Sequence, residues 1–380
     1  MTYTVEVKES VAALDRQTWD SLFTDPLFSS DWFHVIETVR PIHVLPRYHV
    51  LSFDHQVVAA LPAFLQHEEM YTTVEDRLFG RIRTLARRLG VRALPALLAN
   101  SPLSYQGGIG LSDRADEAAA IGELLAAMEE TARREGAPLY GFSYLSPGET
   151  VLSRILEERG FSRGLAVPMA RLDIEWADFD EYLRHISRRH KSTAAGIRRQ
   201  INRNRKAGVR LERVTDFEPH AEEFARLFHE TYHRYTGRET PLKARFFREL
   251  SSRCSGKVTA YCGFKDGRLQ GYFIVLRGAE IWNGLLTGQE YGQDDRDFTF
   301  FSVTFYEPIR DAIAKGAKRI YYGPACYDAK LRRGCRVEPL YMWLRSPSEG
   351  ANHWLKWWLD LADRRYRRKY KDLLSLQDEE

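Results

Sequence analysis

Two strand–turn–strand patterns, one in each half of the chain, are the most regular arrangement of apolar positions. Residues 48–66 read YHVLSFDHQVVAALPAFLQ, in which two apolar runs flank Asp54-His55. Residues 257–278 read KVTAYCGFKDGRLQGYFIVLRG, with Asp266-Gly267 between the two runs. An Asp-Gly pair in this position is a strong hairpin signal, because tight hairpin turns require positive φ angles. Both segments are therefore predicted to form antiparallel hairpins.

A helix–strand pattern follows each predicted hairpin. Residues 121–145 form an amphipathic pattern that ends at Gly136 and continues as an apolar strand. Residues 305–326 repeat this order, with Gly316 after the helix, because glycine commonly ends a helix. An Arg-Gly pair and a further strand come next in both halves. The repetition predicts a duplicated α/β module, with modules at 1–175 and 176–346 and a C-terminal basic helix at 347–380.

Length and composition are those of a globular protein with two domains. The chain has 380 residues, of which 44% are hydrophobic and 28% charged. The N-terminus does not resemble a signal peptide, and no apolar run approaches the roughly 20 residues of a membrane span. Four cysteines without a CxxC pair favour a reducing compartment and argue against a zinc site. We therefore expect a cytoplasmic protein without a metal site.

Basic residues are unevenly distributed, although the net charge is only +4. The segment from Arg184 to Arg210 contains many arginines and lysines and no acidic residue. A second basic cluster, RRYRRKYK, lies near the C-terminus. Such segments favour phosphates or anionic surfaces as partners. A solvated helix with Ile186, Ile197 and Ile201 packed inward explains the first segment equally well.

Five stretches together resemble one enzyme family. They are DPLFSSDWFHVIETV at 25–39, AALPAFLQ at 59–66, SPLSYQGGIG at 101–110, the basic stretch at 179–214, and GPACYDAKLRRGC at 323–335. Their order and spacing, over most of residues 19–345, resemble the FemABX aminoacyl-tRNA-dependent transferases and the FemAB-like proteins. The resemblance implies an α/β fold of two tandem GNAT-like modules with mixed sheets flanked by helices.

The resemblance also implies an activity: an acyl group is transferred to an amine to form an amide bond. The expected donor is aminoacyl-tRNA, and the expected acceptor is the amine of a cell-wall precursor or a specialised metabolite such as an antibiotic. No cofactor is expected to be tightly bound. An acyl-CoA or a carrier-protein thioester is the alternative donor, but the chain lacks a clear R/QxxGxG/A loop for the pyrophosphate. A non-catalytic protein that binds RNA or a membrane surface is a third alternative.

The resemblance gives Lys330 the central chemical role, and a solvated lysine of a surface loop is the alternative interpretation. Attack of an amine on a carbonyl creates a negative oxygen, and a fixed cation beside it lowers the barrier. Fem-type proteins have a lysine at the matching place, although the residue before it is often aromatic and is Ala329 here. Asp328 is the candidate proton acceptor, and pairing with Lys330 or Arg332 is its alternative role.

Other candidate residues fall into two groups. Residues expected to bind substrates lie on the acceptor side in module one and near the donor in module two: Glu37, Ser104, Tyr105, Gln106, Asn283, Tyr322 and Tyr327. Residues expected to bind tRNA or another phosphate lie in the basic segment: Arg188, Arg189, Lys191, Arg198 and Arg199. In the C-terminal helix, Trp354, Trp358 and Leu361 form an apolar stripe, which is typical both of helices docked on their own domain and of membrane-surface helices.

Overall fold

The computed structural model describes residues 2–68, 78, 88, 92–189, 191–291 and 297–375. The strands in these residues are β1 (Tyr3–Lys8), β2 (Val44–Phe53), β3 (Gln56–Gln66), β4 (Ala96–Ala99), β5 (Gly110–Leu111), β6 (Leu139–Leu145), β7 (Ser162–Asp173), β8 (Arg210–Val214), β9 (Val258–Lys265), β10 (Arg268–Arg277), β11 (Ile281–Gln289), β12 (Arg319–Gly323) and β13 (Arg336–Arg345). The α-helices longer than three residues are α1 (Arg16–Ser21), α2 (Ser30–Val39), α3 (Glu117–Arg134), α4 (Thr150–Glu158), α5 (Phe179–Arg189), α6 (Lys191–Lys206), α7 (Ala221–Thr236), α8 (Ala244–Arg253), α9 (Glu307–Ala314), α10 (Tyr327–Leu331), α11 (Glu349–Lys369) and α12 (Lys371–Ser375). The predicted mixed α/β class is confirmed.

The two predicted hairpins are present. β2 pairs with β3 through a turn in which Asp54 and His55 have φ angles of 47° and 67°. β9 pairs with β10 through Asp266 and Gly267, with φ angles of 50° and 75°. Positive φ at both central residues matches the right-handed twist of the flanking strands.

The described residues of each half also include a parallel strand pair. β4 pairs with β6, and β11 pairs with β12. Parallel neighbours need a long crossover connection, which α3 supplies in the first pair and α9 in the second. The order of hairpin, strand, helix and strand is therefore repeated, as the pattern of apolar positions predicts.

The chain forms two compact units. Unit 1 comprises Met1–Phe23, Leu27–Met169 and Val337–Glu380, and unit 2 comprises Thr24–Pro26 and Ala170–Arg336. Residues 337–346, predicted in the second module, thus lie in unit 1, because β13 pairs antiparallel with β6. Conversely, the end of β7 pairs with β12 inside unit 2. The last strand of each repeat completes the sheet of the other repeat, which apolar periodicity cannot reveal.

Each unit has its own core. In unit 1, the apolar face of α3, including Leu124 and Met128, packs on the strands. In unit 2, α5 and α6 pack on the sheet through Tyr182, Ile186 and Ile197. Ile186 and Ile197 are buried, as the solvated-helix interpretation expects, while the basic side chains of α6 with described exposure, such as Arg198, lie at the surface.

The C-terminal helix α11 docks on unit 1 through Leu355 and Leu359, which are buried. Docking was one of the two interpretations of its sequence, but the docked face is not the predicted stripe, because Trp354 and Leu361 remain exposed. Among the helices that the structure describes, none has the length and apolar character needed to cross a bilayer.

Candidate active site

The site begins at the point where β11 and β12 stop pairing. The two strands are paired over three positions only, Ile281↔Arg319, Trp282↔Ile320 and Asn283↔Tyr321. The chain then turns through Gly323, Ala325 and Cys326, whose φ angles are 75°, 71° and 50°, and enters α10. Left-handed backbone at alanine and cysteine costs free energy, so surrounding contacts must hold this loop in place.

Lys330 supplies those contacts. It is only 7% exposed, and its Nζ donates to the carbonyl oxygens of Tyr322 at 2.8 Å, Gly323 at 2.8 Å and Pro324 at 3.1 Å. These carbonyls follow the last β12 residue paired with β11, and an ammonium has three N–H groups to offer them. Burial lowers the pKa of Lys330 from 10.5 to about 8. In this structure Lys330 therefore acts as a positioning residue that holds the loop.

This arrangement bears on the predicted role of Lys330 at an oxyanion. An oxyanion donor must direct an N–H toward the reacting oxygen. Each N–H of the Lys330 ammonium is instead matched by a loop carbonyl. A direct role would require one of these hydrogen bonds to be released, so it stays a prediction from the family resemblance.

Arg333, one turn after Lys330, is the buried cation beside a cavity. It is 5% exposed, and Nη1 donates to the carbonyl oxygen of Ala329 at 2.9 Å. Nη2 donates to the hydroxyl of Tyr306 at 3.0 Å and to Oε1 of Gln200 at 3.2 Å. Its guanidinium carbon lies 4.0 Å from the ring centroid of Phe301. Nε is buried without a hydrogen-bond partner among the described residues, so one strong donor remains unused.

The aromatic partners of Arg333 lie in an irregular helical turn and at the residue before it, Phe301. Residues Ser302–Tyr306 form a π-helical turn directly before α9. Such turns are rare and frequently occur at functional sites. The Tyr306 hydroxyl also donates to Gln200, and burial raises the pKa of Tyr306, which keeps its hydroxyl protonated. Arg333 was noted in the sequence only as part of a repeated Arg-Gly pair, and its role depends on this three-dimensional surrounding.

A cavity of about 400 Å³ lies against this cluster. Its lining residues come from α6, the residue before the π-helical turn, and the segment around α10: Thr193, Gly196, Ile197, Gln200, Phe301, Asp328, Ala329, Arg332 and Arg333. The volume falls within the range of small-molecule sites. Two arginines and an aromatic ring make the cavity suitable for a carboxylate, a phosphate or a polarised carbonyl.

Candidate residues near the cavity differ in their surroundings. The exposed Asp328 carboxylate pairs with Arg332 at 3.1 Å, which was one of its alternative roles. The Tyr322 ring is buried in an aromatic stack with Phe273 and Phe305. Half-buried Tyr327 packs partly against the same core.

Asn283 lies on β11 and is 2% exposed. Its Nδ2 donates to Oδ1 of Asp25 at 2.8 Å, and both residues belong to unit 2. The contact attaches the short segment Thr24–Pro26 to this unit. Asn283 thus has a structural partner, and its predicted contact with substrate stays a prediction.

The predicted phosphate-binding residues lie on α5 and α6. Arg188, Arg198 and Arg199 are exposed, whereas the side chains of Arg189 and Lys191 lie outside the described residues. Arg198 is 3.6 Å from the exposed Asp180, a pairing that contributes little in water. Because α6 also lines the cavity through Gly196, Ile197 and Gln200, one helix carries both a cavity wall and a cationic surface.

The candidates of unit 1 have partners within their own unit. The Glu37 carboxylate accepts hydrogen bonds from Ser10 Oγ at 2.8 Å, Val11 N at 2.8 Å and Tyr48 OH at 2.7 Å. These bonds connect α2 to β2 and to the segment after β1. Glu37 therefore stabilises the fold, and the structure leaves its predicted contact with an amine untested.

Ser104, Tyr105 and Gln106 form a turn. Ser104 Oγ donates to the carbonyl of Ser101 at 2.8 Å and accepts from Gln106 N at 3.2 Å. The Tyr105 ring contacts Tyr144 edge-on, with the centroids 5.2 Å apart. These contacts fix the turn beside β6, while acceptor binding by the three residues stays a prediction.

Metal ligation has no support in the described part of the chain. No group of three or more His, Cys, Asp or Glu side chains is arranged there to hold an ion.

Comparison with solved structures identifies proteins that share this fold. The crystal structure of FemX superposes with a TM-score of 0.61 at 11% identity, covering 90% of this chain and 97% of FemX. The C-terminal domain of a putative lysylphosphatidylglycerol synthetase from Agrobacterium fabrum gives a TM-score of 0.53 at 13% identity, covering 93% of this chain and 94% of that domain. A tandem GNAT protein from the clavulanic acid biosynthesis pathway gives 0.53 at 11%, covering 91% and 99%. At these identities the likeness concerns the fold, and it confirms the predicted GNAT-like architecture.

Comparison of the sequence with families gives a more specific result. No curated protein matches the chain. The FemAB-like family profile, described as peptidoglycan biosynthesis and recognition, matches residues 10–377. Because this match spans nearly the whole sequence and includes every candidate residue, the chain belongs to the FemAB-like family of acyltransferases.

Proposed function

We propose that the protein transfers an aminoacyl group from aminoacyl-tRNA to an amine of a peptidoglycan precursor. The observation that carries the proposal is the position of α6, which lines the Arg333 cavity and presents Arg198 and Arg199 to solvent. A donor with an activated acyl group at one end and many phosphates behind it matches this combination. The family description supports the choice of a cell-wall precursor as acceptor.

The donor is bound in two parts. Exposed arginines of α5 and α6 neutralise backbone phosphates, which gives affinity that depends on salt and not on base sequence. The acyl end enters the cavity, where its carbonyl or carboxyl oxygen lies beside the buried guanidinium of Arg333. In this arrangement the surface of α5 and α6 provides affinity for the tRNA, and the buried Arg333 orients the acyl group.

The reaction needs one proton transfer. The acceptor amine attacks the ester carbonyl carbon, the C–O bond to the ribose oxygen breaks, and a proton passes from the amine to the leaving oxygen, directly or through water. Arginine remains charged throughout the working pH range, so Arg333 stabilises negative charge and does not exchange the proton. Lys330 holds the loop that shapes this end of unit 2.

The side chains around the point where β11 and β12 stop pairing favour a donor other than acyl-CoA. Gly284 follows the last paired residue of β11, and the Phe273 ring covers it and stacks on Tyr322 with the centroids 5.8 Å apart. Phe305 stacks on the same tyrosine at 5.0 Å. Aromatic rings thus occupy the space where β11 and β12 stop pairing, and this space is not open to a pantetheine chain.

The test is transfer from tRNA charged with a radiolabelled amino acid to an amine-containing peptidoglycan precursor. We expect labelled amide product, loss of the product when ribonuclease is added first, and no thiol release from acyl-CoA. Turnover that persists after ribonuclease treatment, or thiol release that depends on the amine, would overturn the choice of donor. Absence of amide formation with every activated donor would overturn the proposed function itself.

A further inference from the structure

The exposed face of α11 combines an apolar half with a cationic half. Trp354 is 69% exposed, Trp357 is 54% exposed and Leu361 is 40% exposed. With roughly 3.6 residues per turn, these positions lie on one side of the helix. Arg364, Arg365 and Arg368 continue the same side toward the C-terminus, and all three are exposed. We call these six residues the α11 face.

The α11 face is held outward by contacts on the opposite side of the helix. Leu355 and Leu359 are buried, and Asp363 Oδ1 accepts a hydrogen bond from Leu165 N at 2.7 Å. Rotating the tryptophans into unit 1 would break these contacts. Their exposure is thus a fixed property of the docked helix.

Charges on α11 are segregated in the same way. Asp360 pairs with Lys356 at 3.5 Å, and Asp363 pairs with Arg367 at 2.5 Å, both away from the α11 face. Among the described residues, none forms an ion pair with Arg364, Arg365 or Arg368. Within the described part of the chain, the α11 face therefore carries three positive charges that no ion pair neutralises.

We propose that the α11 face binds the surface of a membrane that contains anionic lipids. Of the five large hydrophobic side chains exposed in the described residues, three belong to this face, so they form a patch and are not scattered. Tryptophan prefers the boundary between headgroups and acyl chains, and arginines beside it are attracted to anionic headgroups. RNA would use the arginines, but it offers no apolar environment to the aliphatic Leu361, which lies between the tryptophans and the arginines.

Co-sedimentation with vesicles tests this surface. Vesicles of phosphatidylcholine with about one third phosphatidylglycerol should bind the full-length protein, and pure phosphatidylcholine vesicles should bind it far less. Trp354→Ser with Trp357→Ser should abolish detectable binding. Arg364→Gln, Arg365→Gln and Arg368→Gln together should lower the apparent affinity on the order of a hundredfold.

Controls come from matched residues outside the α11 face. Tyr235→Ser removes another exposed aromatic side chain, which is 71% exposed, and Arg367→Gln removes an ion-paired arginine of the same helix. Both should sediment as the wild type does, and all variants should keep the wild-type melting temperature. Equal sedimentation with both vesicle types, or unchanged binding of the tryptophan variant, would overturn the proposal. Dependence of RNA binding, and not vesicle binding, on the three arginines would do the same.

Discussion

Lys330 and Arg333 are joined through the backbone, since the N–H of Arg333 donates to the carbonyl oxygen of Lys330 at 2.9 Å. Their side chains serve different surroundings. The Lys330 ammonium binds three carbonyls of the preceding loop, while the Arg333 guanidinium binds Tyr306 and Gln200 beside the cavity. One short segment thereby fixes the loop and presents a buried cation.

The surface of α6 should determine affinity for tRNA. Replacing Arg198 and Arg199 together with glutamine removes two exposed charges, so binding of charged tRNA should weaken. The slope of log affinity against log salt should decrease by about 1.4 to 1.8. Filter binding at several salt concentrations measures both quantities. Arg268→Gln, an exposed arginine of β10, is the control; an equal effect in this variant would show that the α6 surface is not specific.

The burial of Lys330 should make the free energy of unfolding depend on pH in the alkaline range. Its pKa is about 8 in the folded protein against 10.5 for the free side chain. Between these values the unfolded chain binds a proton that the folded protein has released, so raising the pH favours folding. The free energy of unfolding of the wild type, relative to Lys330→Met, should therefore rise from pH 8 to pH 10.5. Urea unfolding across this range measures it, and a constant difference between the two proteins would contradict the burial of the ammonium.

His49 should make the free energy of unfolding decrease as the pH is lowered through the acidic range. Burial lowers the pKa of His49 from 6.5 to about 4, and its Nε2 contacts Thr131 Oγ1 at 2.9 Å. As the pH falls below 6.5, the unfolded chain takes up a proton that the folded protein resists, so stability is lost down to about pH 4. His49→Gln should reduce this acid dependence in urea titrations. The exposed His55→Gln is the control and should leave the dependence unchanged.

Gly284 should tolerate no side chain. A Cβ at this position would overlap the Phe273 ring and lie 3.1 Å from the carbonyl oxygen of Tyr321. Gly284→Ala should therefore lower the free energy of unfolding by about 1–3 kcal/mol through overpacking of the aromatic stack. Chemical denaturation measures the change. Gly350→Ala in α11, where a Cβ meets no atom within 4 Å, should be neutral or stabilising.

Several parts of the fold were predictable because they depend on local chemistry. Asp266-Gly267 adopts the positive φ angles of a hairpin turn, and Gly136 and Gly316 follow helices as expected. The exchange of β7 and β13 between the repeats was not predictable in this way. It depends on which sheet edge each strand pairs with. The alternation of apolar and polar residues within a strand does not indicate that edge.

The candidate site was predicted only in part. The segment around Lys330 was identified from the family resemblance, and it does lie at a cavity-lining helix. The three carbonyl partners of Lys330 and the cluster of Arg333 with Tyr306 and Gln200 were missed. Gln200, Tyr306 and Arg333 are distant in sequence, and only the packing of α6 and the π-helical turn on α10 brings them together.

Arg333→Lys gives the most direct test of the central claim, that the cavity around Arg333 orients an aminoacyl-tRNA for attack by an amine. The measurement is the single-turnover rate of label transfer from saturating charged tRNA to the precursor amine. We expect a decrease on the order of a hundredfold, with tRNA affinity nearly unchanged, at a temperature where circular dichroism shows the variant to be folded, because lysine keeps the charge but loses the planar set of donors. A transfer rate equal to that of the wild type would contradict the claim.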